Sequence, residues 1–348
     1  MDALQTRGSL MGKYRALRSR IIQKAMRDKI PVLGEFELTP RCNLKCSMCF
    51  VRESAIKLEL STEEWKRIFD MAVDNGLMFA TLTGGEIMMR EDFIELYEYL
   101  YDKGVRITLF SNGTMFSDEA LDALSKRPPE YISITLYGAT NETYEAITNV
   151  KNGFDKVKRG IETLRRKGIH VALKTIPLKG IMNDLDHIID FVKSYDLEMN
   201  YFLYVGPTRD LRNHPLNERL SPRELVRFEQ TIRNAFDKPI DETFENTETP
   251  LMCAALKSAY FVNWRGKMLP CAMVPTPGQY IKEDFKDTYD TLRKRFYDIE
   301  VYDQCKSCDL RSQCIQCYAR RYLEGDSEAC APYLKAHATL RGENDGKV

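Results

Sequence analysis

Apolar positions along the chain follow two alternating periods. Short strand-like runs recur at "EFELT" (35–39), "LMFATLT" (77–83), "VRITLF" (105–110), "YISITL" (131–136), "IHVALKTI" (169–176) and "MNYFLYV" (199–205). Between them apolar residues return every three or four positions, the helical period. Ser61 and Glu64 form a capping box, and Trp65, Ile68, Phe69, Ala72 and Val73 share the apolar face that follows. "DFIELYEYLYDKG" (92–104) reads as a helix closed by Gly104. Further helices are predicted near 117–126, up to Lys167 with a break at Asn152-Gly153, and over 183–195. Six strands, each followed by a crossover long enough for a helix, predict a parallel sheet and an α/β fold class. Closing a barrel takes eight such units, so six predict an open, partial (β/α)6 barrel.

Residues 12–28 place Tyr14, Leu17, Ile21 and Ala25 at helical spacing among basic residues. Residues 1–30 hold eight Lys/Arg against two Asp, which reads as the solvated face of a docking helix; a site for an acidic peptide is the competing reading. The organisation is then an N-terminal basic helix (1–34), the barrel (35–215), a bridging helix and linker (216–252), a cysteine-rich extension (253–335) and a tail (336–348). "DETFENTETP" (241–250) reads as a surface linker and "RGENDGKV" (341–348) as a disordered end. At or after the sixth strand, Tyr201 and Tyr204 read as core residues and Arg209 and Arg212 as solvated loop residues, with a substrate-facing role as the alternative.

Fifty-one Lys/Arg balance fifty-one Asp/Glu, so the charge balance predicts neither a nucleic-acid nor a membrane partner. There is no 18-residue apolar run and no secretory signal, which makes a cytoplasmic location the expectation. In that compartment ten cysteines point to metal rather than disulfides. Three sit at Cys42, Cys46 and Cys49; the other seven run from Cys253 to Cys330. The first group, C-x3-C-x2-C, lacks a fourth ligand, and the four histidines (His170, His187, His214, His337) are all remote in sequence. A structural zinc site would need a distant fourth donor, whereas a cubane iron–sulfur cluster can use three thiolates and leave one iron for an amine–carboxylate chelate. Parallel α/β folds place their chemistry at the C-terminal ends of strands. The cysteine loop follows the first strand, "TGGE" ends the second and "SNGT" the third.

Those three loops resemble the radical S-adenosylmethionine (radical SAM) enzymes, in which three cysteines hold a [4Fe–4S] cluster whose open iron is chelated by SAM. C-x3-C-x2-C ending in the aromatic Phe50 carries the resemblance, which covers roughly residues 35–335. "TGGEIMMREDF" resembles the glycine-rich second-strand motif, implying that Gly84, Gly85 and Glu86 hold the methionyl amine. "FSNGT" resembles the segment bordering the ribose, implicating Ser111 and Asn112, and "SITLYGATNETYEAI" would turn Ser133 to the SAM carboxylate. Many relatives then carry a His-Asp pair and an Arg for that carboxylate. Here Tyr144, Glu145 and Thr148 stand in those places, and Lys151 is a weak substitute.

The seven later cysteines resemble the SPASM extension, which carries two auxiliary [4Fe–4S] clusters. Twelve residues separate Cys253 from Gly266 and four separate Gly266 from Cys271; "YFVNWRGKMLPC" between them reads as a hairpin turning at Trp264–Gly266. C-x2-C-x5-C follows at Cys305, Cys308 and Cys314, then Cys317 after two residues where the family usually has three. The resemblance implies Cys253, Cys271 and Cys317 at the nearer auxiliary cluster and Cys305, Cys308, Cys314 and Cys330 at the outer one. One iron is left open, or held by an unidentified oxygen or nitrogen. Implied with it are formation of a 5′-deoxyadenosyl radical, an electron donor such as flavodoxin or ferredoxin, and a ribosomally made peptide as substrate. A small-molecule dehydrogenase of a cyclitol or amino sugar is the alternative. A sulfatase-maturase role fits less well, because Ala272 stands where those relatives have Asp. A non-catalytic zinc-binding protein is the remaining reading, though the two C-x2-C pairs lie only five residues apart.

Overall fold

The computed structural model describes residues 2–51, 59–237, 253–297, 305, 307–325 and 330–345. The linker expected at 241–250 lies outside them. Six strands form the series β1 (Leu33–Glu37), β2 (Phe79–Thr83), β3 (Arg106–Ser111), β4 (Tyr131–Thr135), β5 (Val171–Thr175) and β6 (Glu198–Tyr201). Each pairs parallel with the next. The last is shorter than expected because the chain leaves the sheet after Tyr201, although Leu203, Tyr204 and Val205 stay buried.

The helices α1 (Asp2–Asp28), α2 (Thr62–Asp74), α3 (Phe93–Asp102), α4 (Asp118–Lys126), α5 (Asn141–Thr148), α6 (Gly153–Arg166), α7 (Lys179–Met182) and α8 (Leu185–Ser194) fill the crossovers and the N-terminus. The Ser61–Glu64 capping box starts α2, whose Trp65 and Phe69 meet Phe36 of β1 edge-on at 6.2 and 5.2 Å. Phe36 thus belongs to the outer, helix-covered layer. Strand alternation turns its neighbours Glu35 and Glu37 to the inner face. The break at Asn152 is real: Asn149 and Asn152 both take left-handed φ, 56° and 55°, separating α5 from α6. α1 lies across the N-terminal ends of strands: the Arg18 guanidinium lies 4.9 Å from the Phe79 ring, and Arg106 lies 5.6 Å from the ring of Tyr14.

The extension enters the same sheet. Its hairpin, β7 (Ala259–Val262) and β8 (Lys267–Leu269), turns at the predicted residues, and β9 (Gln279–Tyr280) follows. β7 pairs parallel with β1, from Leu33↔Ala259 to Phe36↔Val262, giving the order β6-β5-β4-β3-β2-β1-β7-β8-β9. Among the described residues α9 (Pro222–Ala235), α10 (Phe285–Tyr297), α11 (Tyr318–Leu323) and α12 (Pro332–Asp345) follow. The expected disordered tail is helical through Asp345. In α12, Leu334, His337, Ala338 and Arg341 are all buried, an i, i+3, i+4, i+7 stripe disguised by two polar members.

Candidate functional site

The loop after β1 carries Cys42, Cys46 and Cys49, and its backbone is fastened from both sides. Gly85 N–H donates to Thr39 O at 2.7 Å and Glu86 N–H to Arg41 O at 2.8 Å. Only glycine permits this approach: a Cβ on Gly85 would lie 2.4 Å from Arg41 O, and one on Gly84 would lie 2.6 Å from Thr39 O. On the other side, Lys45 and Ser47 N–H donate to Thr148 O and Ile147 O, both at 2.9 Å. The α5 segment that lacks the family's Arg therefore anchors the cysteine loop instead. Tyr144 and Thr148 are buried, while Lys151 is exposed.

Glu86 is fully buried between the loops, and its carboxylate accepts from Ser111 Oγ at 2.9 Å, Asn112 N–H at 2.7 Å and Met88 N–H at 3.2 Å. Burial pushes its pKa up, against those donors. Asn112 Nδ2 in turn donates to Asn43 Oδ1 at 2.8 Å and reaches Cys42 Sγ at 3.7 Å; Leu44 N–H lies 3.4 Å from the same sulfur. Glu86, Ser111 and Asn112 thus come together with the cysteine loop, and the Glu86 side chain binds the loops to each other. Ser133 sits beside Phe110 in the β3–β4 register and is buried. Phe50 is 39% exposed.

The three thiols share one neighbourhood, with Cys46 buried and Cys42 and Cys49 half-buried. Burial pushes Cys46 up to about 12, with the negative charge of Cys49 and Cys42 adding to it, and pushes Cys42 up to about 11. Thiols whose anionic forms would repel one another fit a cationic centre, because a bound metal reverses that logic and deprotonates its sulfur ligands. The donors aimed at Cys42 favour its thiolate.

The inner face holds Glu35, Glu37 and Lys174, to which the sequence pointed no role, together with Arg209, which it placed in a solvated loop. Glu37 and Arg209, both nearly inaccessible, form a two-pronged ion pair at 2.8 and 2.9 Å. Arg209 is no solvated loop residue. Burial pushes Glu35 up to about 7; Lys174 and Arg209 oppose the shift and Glu37 adds to it. Burial lowers Lys174, whose ammonium lies 4.1 Å from the Phe110 ring. The missed signal was charge inside strand-like runs: alternate acids in "EFE" and one lysine in "IHVALKTI". Tyr201 does pack as core, edge-on to Phe228, while the Tyr204 hydroxyl donates to Glu324 of the extension at 2.8 Å.

The seven later cysteines fall into two neighbourhoods. Cys271 feels the charge of Cys317 and Cys253, and Cys253 that of Cys317. Cys314 feels Cys330 and Cys305, and Cys330 feels Cys305 and Cys308. Gln316 serves the second set, donating from Nε2 to Cys305 Sγ at 3.3 Å and from its N–H to Cys314 Sγ at 3.4 Å. Among the described residues no three His, Cys, Asp or Glu side chains converge on one ion-sized point. The thiols neighbour one another without closing on a single ion. A cavity of about 290 Å³ is lined by Cys253, Cys271, Glu35, Thr81, Thr108 and Arg18 of α1.

A profile of the radical SAM superfamily matches residues 36–193. The AdoMet-dependent heme synthase of Nitratidesulfovibrio vulgaris is 33% identical over 333 residues, spanning 85% of this chain and 90% of that protein. The chain belongs to the radical SAM superfamily. It is also 26% identical over 300 residues to the antilisterial bacteriocin subtilosin biosynthesis protein AlbA of Bacillus subtilis, spanning 84% of this chain and 66% of AlbA. Its fold matches Streptococcus suis SuiB bound to S-adenosylmethionine with a TM-score of 0.68 at 16% identity, covering 86% of this chain and 75% of SuiB. As a radical SAM enzyme its cofactors are a [4Fe–4S] cluster and SAM, and the cysteine-rich extension fits two auxiliary clusters. No described helix is long and apolar enough to cross a membrane.

Proposed function

We propose that this chain is a SPASM-type peptide maturase. When bound, the reduced cluster and SAM supply a hydrogen-abstracting radical. Cys42, Cys46 and Cys49 would hold that cluster; the backbone at Gly84–Glu86, with Ser111, Asn112, Ser133 and Phe50, would seat SAM. Cys253, Cys271 and Cys317 would hold the nearer auxiliary cluster, and Cys305, Cys308, Cys314 and Cys330 the outer one. Electrons would come from a flavodoxin or ferredoxin, in the cytoplasm.

The observation that carries the peptide reading is the charge balance of the inner face. Arg209 is paired with Glu37, and burial pushes Glu35 and Lys174 toward their neutral forms, so the face carries no large unmatched charge. Such a lining suits an uncharged peptide backbone better than an anionic ligand. AlbA is a bacteriocin biosynthesis protein, and SuiB has a structure bound to its precursor peptide SuiA. A second reading, a tetrapyrrole substrate, is favoured by the near-full-length match to the heme synthase.

One experiment separates them. Reduced holoenzyme and SAM are given either synthetic versions of short peptides encoded beside the gene, or Fe-coproporphyrin III. Loss of two hydrogens from a peptide, or deuterium uptake from D2O, supports the first reading. An altered porphyrin with every peptide unchanged overturns it.

A further inference from the structure

The geometry points to Arg209 as a positioning residue that locks the first cysteine loop and the Cys271 loop onto β1 as one unit. Its guanidinium spans two distant segments. Nη1 and Nη2 donate to the Glu37 carboxylate, 172 residues away in sequence, and Nε donates to the carbonyl of Ala272, directly after Cys271. Its backbone N–H donates to Phe50 O at 3.2 Å, directly after Cys49. The guanidinium lies 5.1 Å from the Phe50 ring and 5.3 Å from Phe261 of β7. One residue therefore touches the neighbour of a first-site cysteine, the neighbour of an extension cysteine, and the strand between them.

The segment that presents Arg209 is tight. Arg212 N–H donates to Thr208 Oγ1 at 2.8 Å, Leu211 N–H donates to Thr208 O at 2.8 Å, and Leu211 takes a φ of 64°. With Thr208 and Arg209 almost inaccessible, the side chain has one place to go. The planar fork matters as much as the charge. Two prongs take Glu37 while Nε serves a second partner, a division that the compact ammonium of lysine does not reproduce. Arg209 would thus hold two redox sites at one spacing.

The inference rests on the radical SAM/SPASM reading for its purpose, though not for its geometry, so the test reads both. Amide hydrogen exchange by mass spectrometry is compared in anaerobic holoenzyme for wild type, Arg209→Lys and Glu37→Gln. Arg341→Gln serves as control: Arg341 forms a buried ion pair with Glu229 at 2.7 Å between α12 and α9. Either test variant should speed exchange about tenfold in both 46–51 and 271–274, with Arg341→Gln leaving both segments alone. The low-temperature paramagnetic signals of the first and nearer auxiliary clusters should shift together, while that of the outer cluster stays. Lock-and-control patterns that coincide, or a change in one segment only, overturn the assignment. If Arg209→Lys does not fold, Glu37→Gln decides by the same criteria. Iron-free wild type would sink the cofactor reading, and the exchange data would still judge Arg209.

Discussion

Replacing Gly85 with alanine tests whether the first site depends on close contact between two loops. The new Cβ would sit 2.4 Å from Arg41 O and 2.7 Å from Pro40 O, against a floor of 3.0 Å for real Cβ contacts. The loops would have to part by about 0.6 Å, because the clashing atoms are backbone and cannot swing aside. That stretches the hydrogen bonds Gly85 N–Thr39 O and Glu86 N–Arg41 O from 2.7 and 2.8 Å toward the limit of bonding. Overpacking costs about 1–3 kcal/mol and each weakened bond about 1 kcal/mol, so Gly85→Ala should cost about 3–5 kcal/mol. Gly104→Ala is the matched control: its φ is +81° with nothing within 4 Å, leaving only backbone strain of about 1–2 kcal/mol. Anaerobic thermal unfolding of both variants, with iron counted beforehand, reads the difference. Gly85→Ala should melt lower than Gly104→Ala and lose the iron of the first site alone. Equal melting with full iron would refute the reasoning.

The cysteine division predicts that Cys317→Ser and Cys330→Ser each lower the iron from about twelve to about eight per chain, removing different paramagnetic signals. Loss of one and the same signal would contradict it. Glu35 prefers to be protonated in its buried seat, so its contribution to stability is fully present below its ordinary 4.5 and is lost as pH rises through about 7. That gap corresponds to about 3 kcal/mol, and Glu35→Gln should flatten the stability profile over that window. An unchanged profile in urea titrations across pH 4.5–7 would remove Glu35 as its source.

The barrel was legible because its signals are local: period-two strands, a capping box at Ser61 and Gly104 after α3 all depend on near neighbours in sequence. The first cysteine loop and the two glycine-bearing loops were legible because strand order alone brings them to one rim. The joining of β7 to β1 was not legible, since parallel pairing across more than two hundred residues leaves no local pattern. Arg209 was misread for the same reason; its burial depends on Glu37 and Ala272, which only the fold brings near. The terminal helix was hidden because His337 and Arg341 interrupt its apolar stripe. Glu86 was found by motif, but its place between the loops depends on Ser111 and Asn112 and not on its own neighbours.

Beside Cys42, Cys46 and Cys49, the loops of Gly84–Glu86 and Ser111–Asn112 would seat SAM for reductive cleavage. Anaerobically reconstituted protein should be mixed with dithionite and SAM, and 5′-deoxyadenosine quantified beside a Cys46→Ala variant. Wild type should form 5′-deoxyadenosine and methionine in equal amounts and the variant none, while keeping its auxiliary iron. Fully loaded wild type that forms no 5′-deoxyadenosine, or a Cys46→Ala variant that forms as much, would contradict the account.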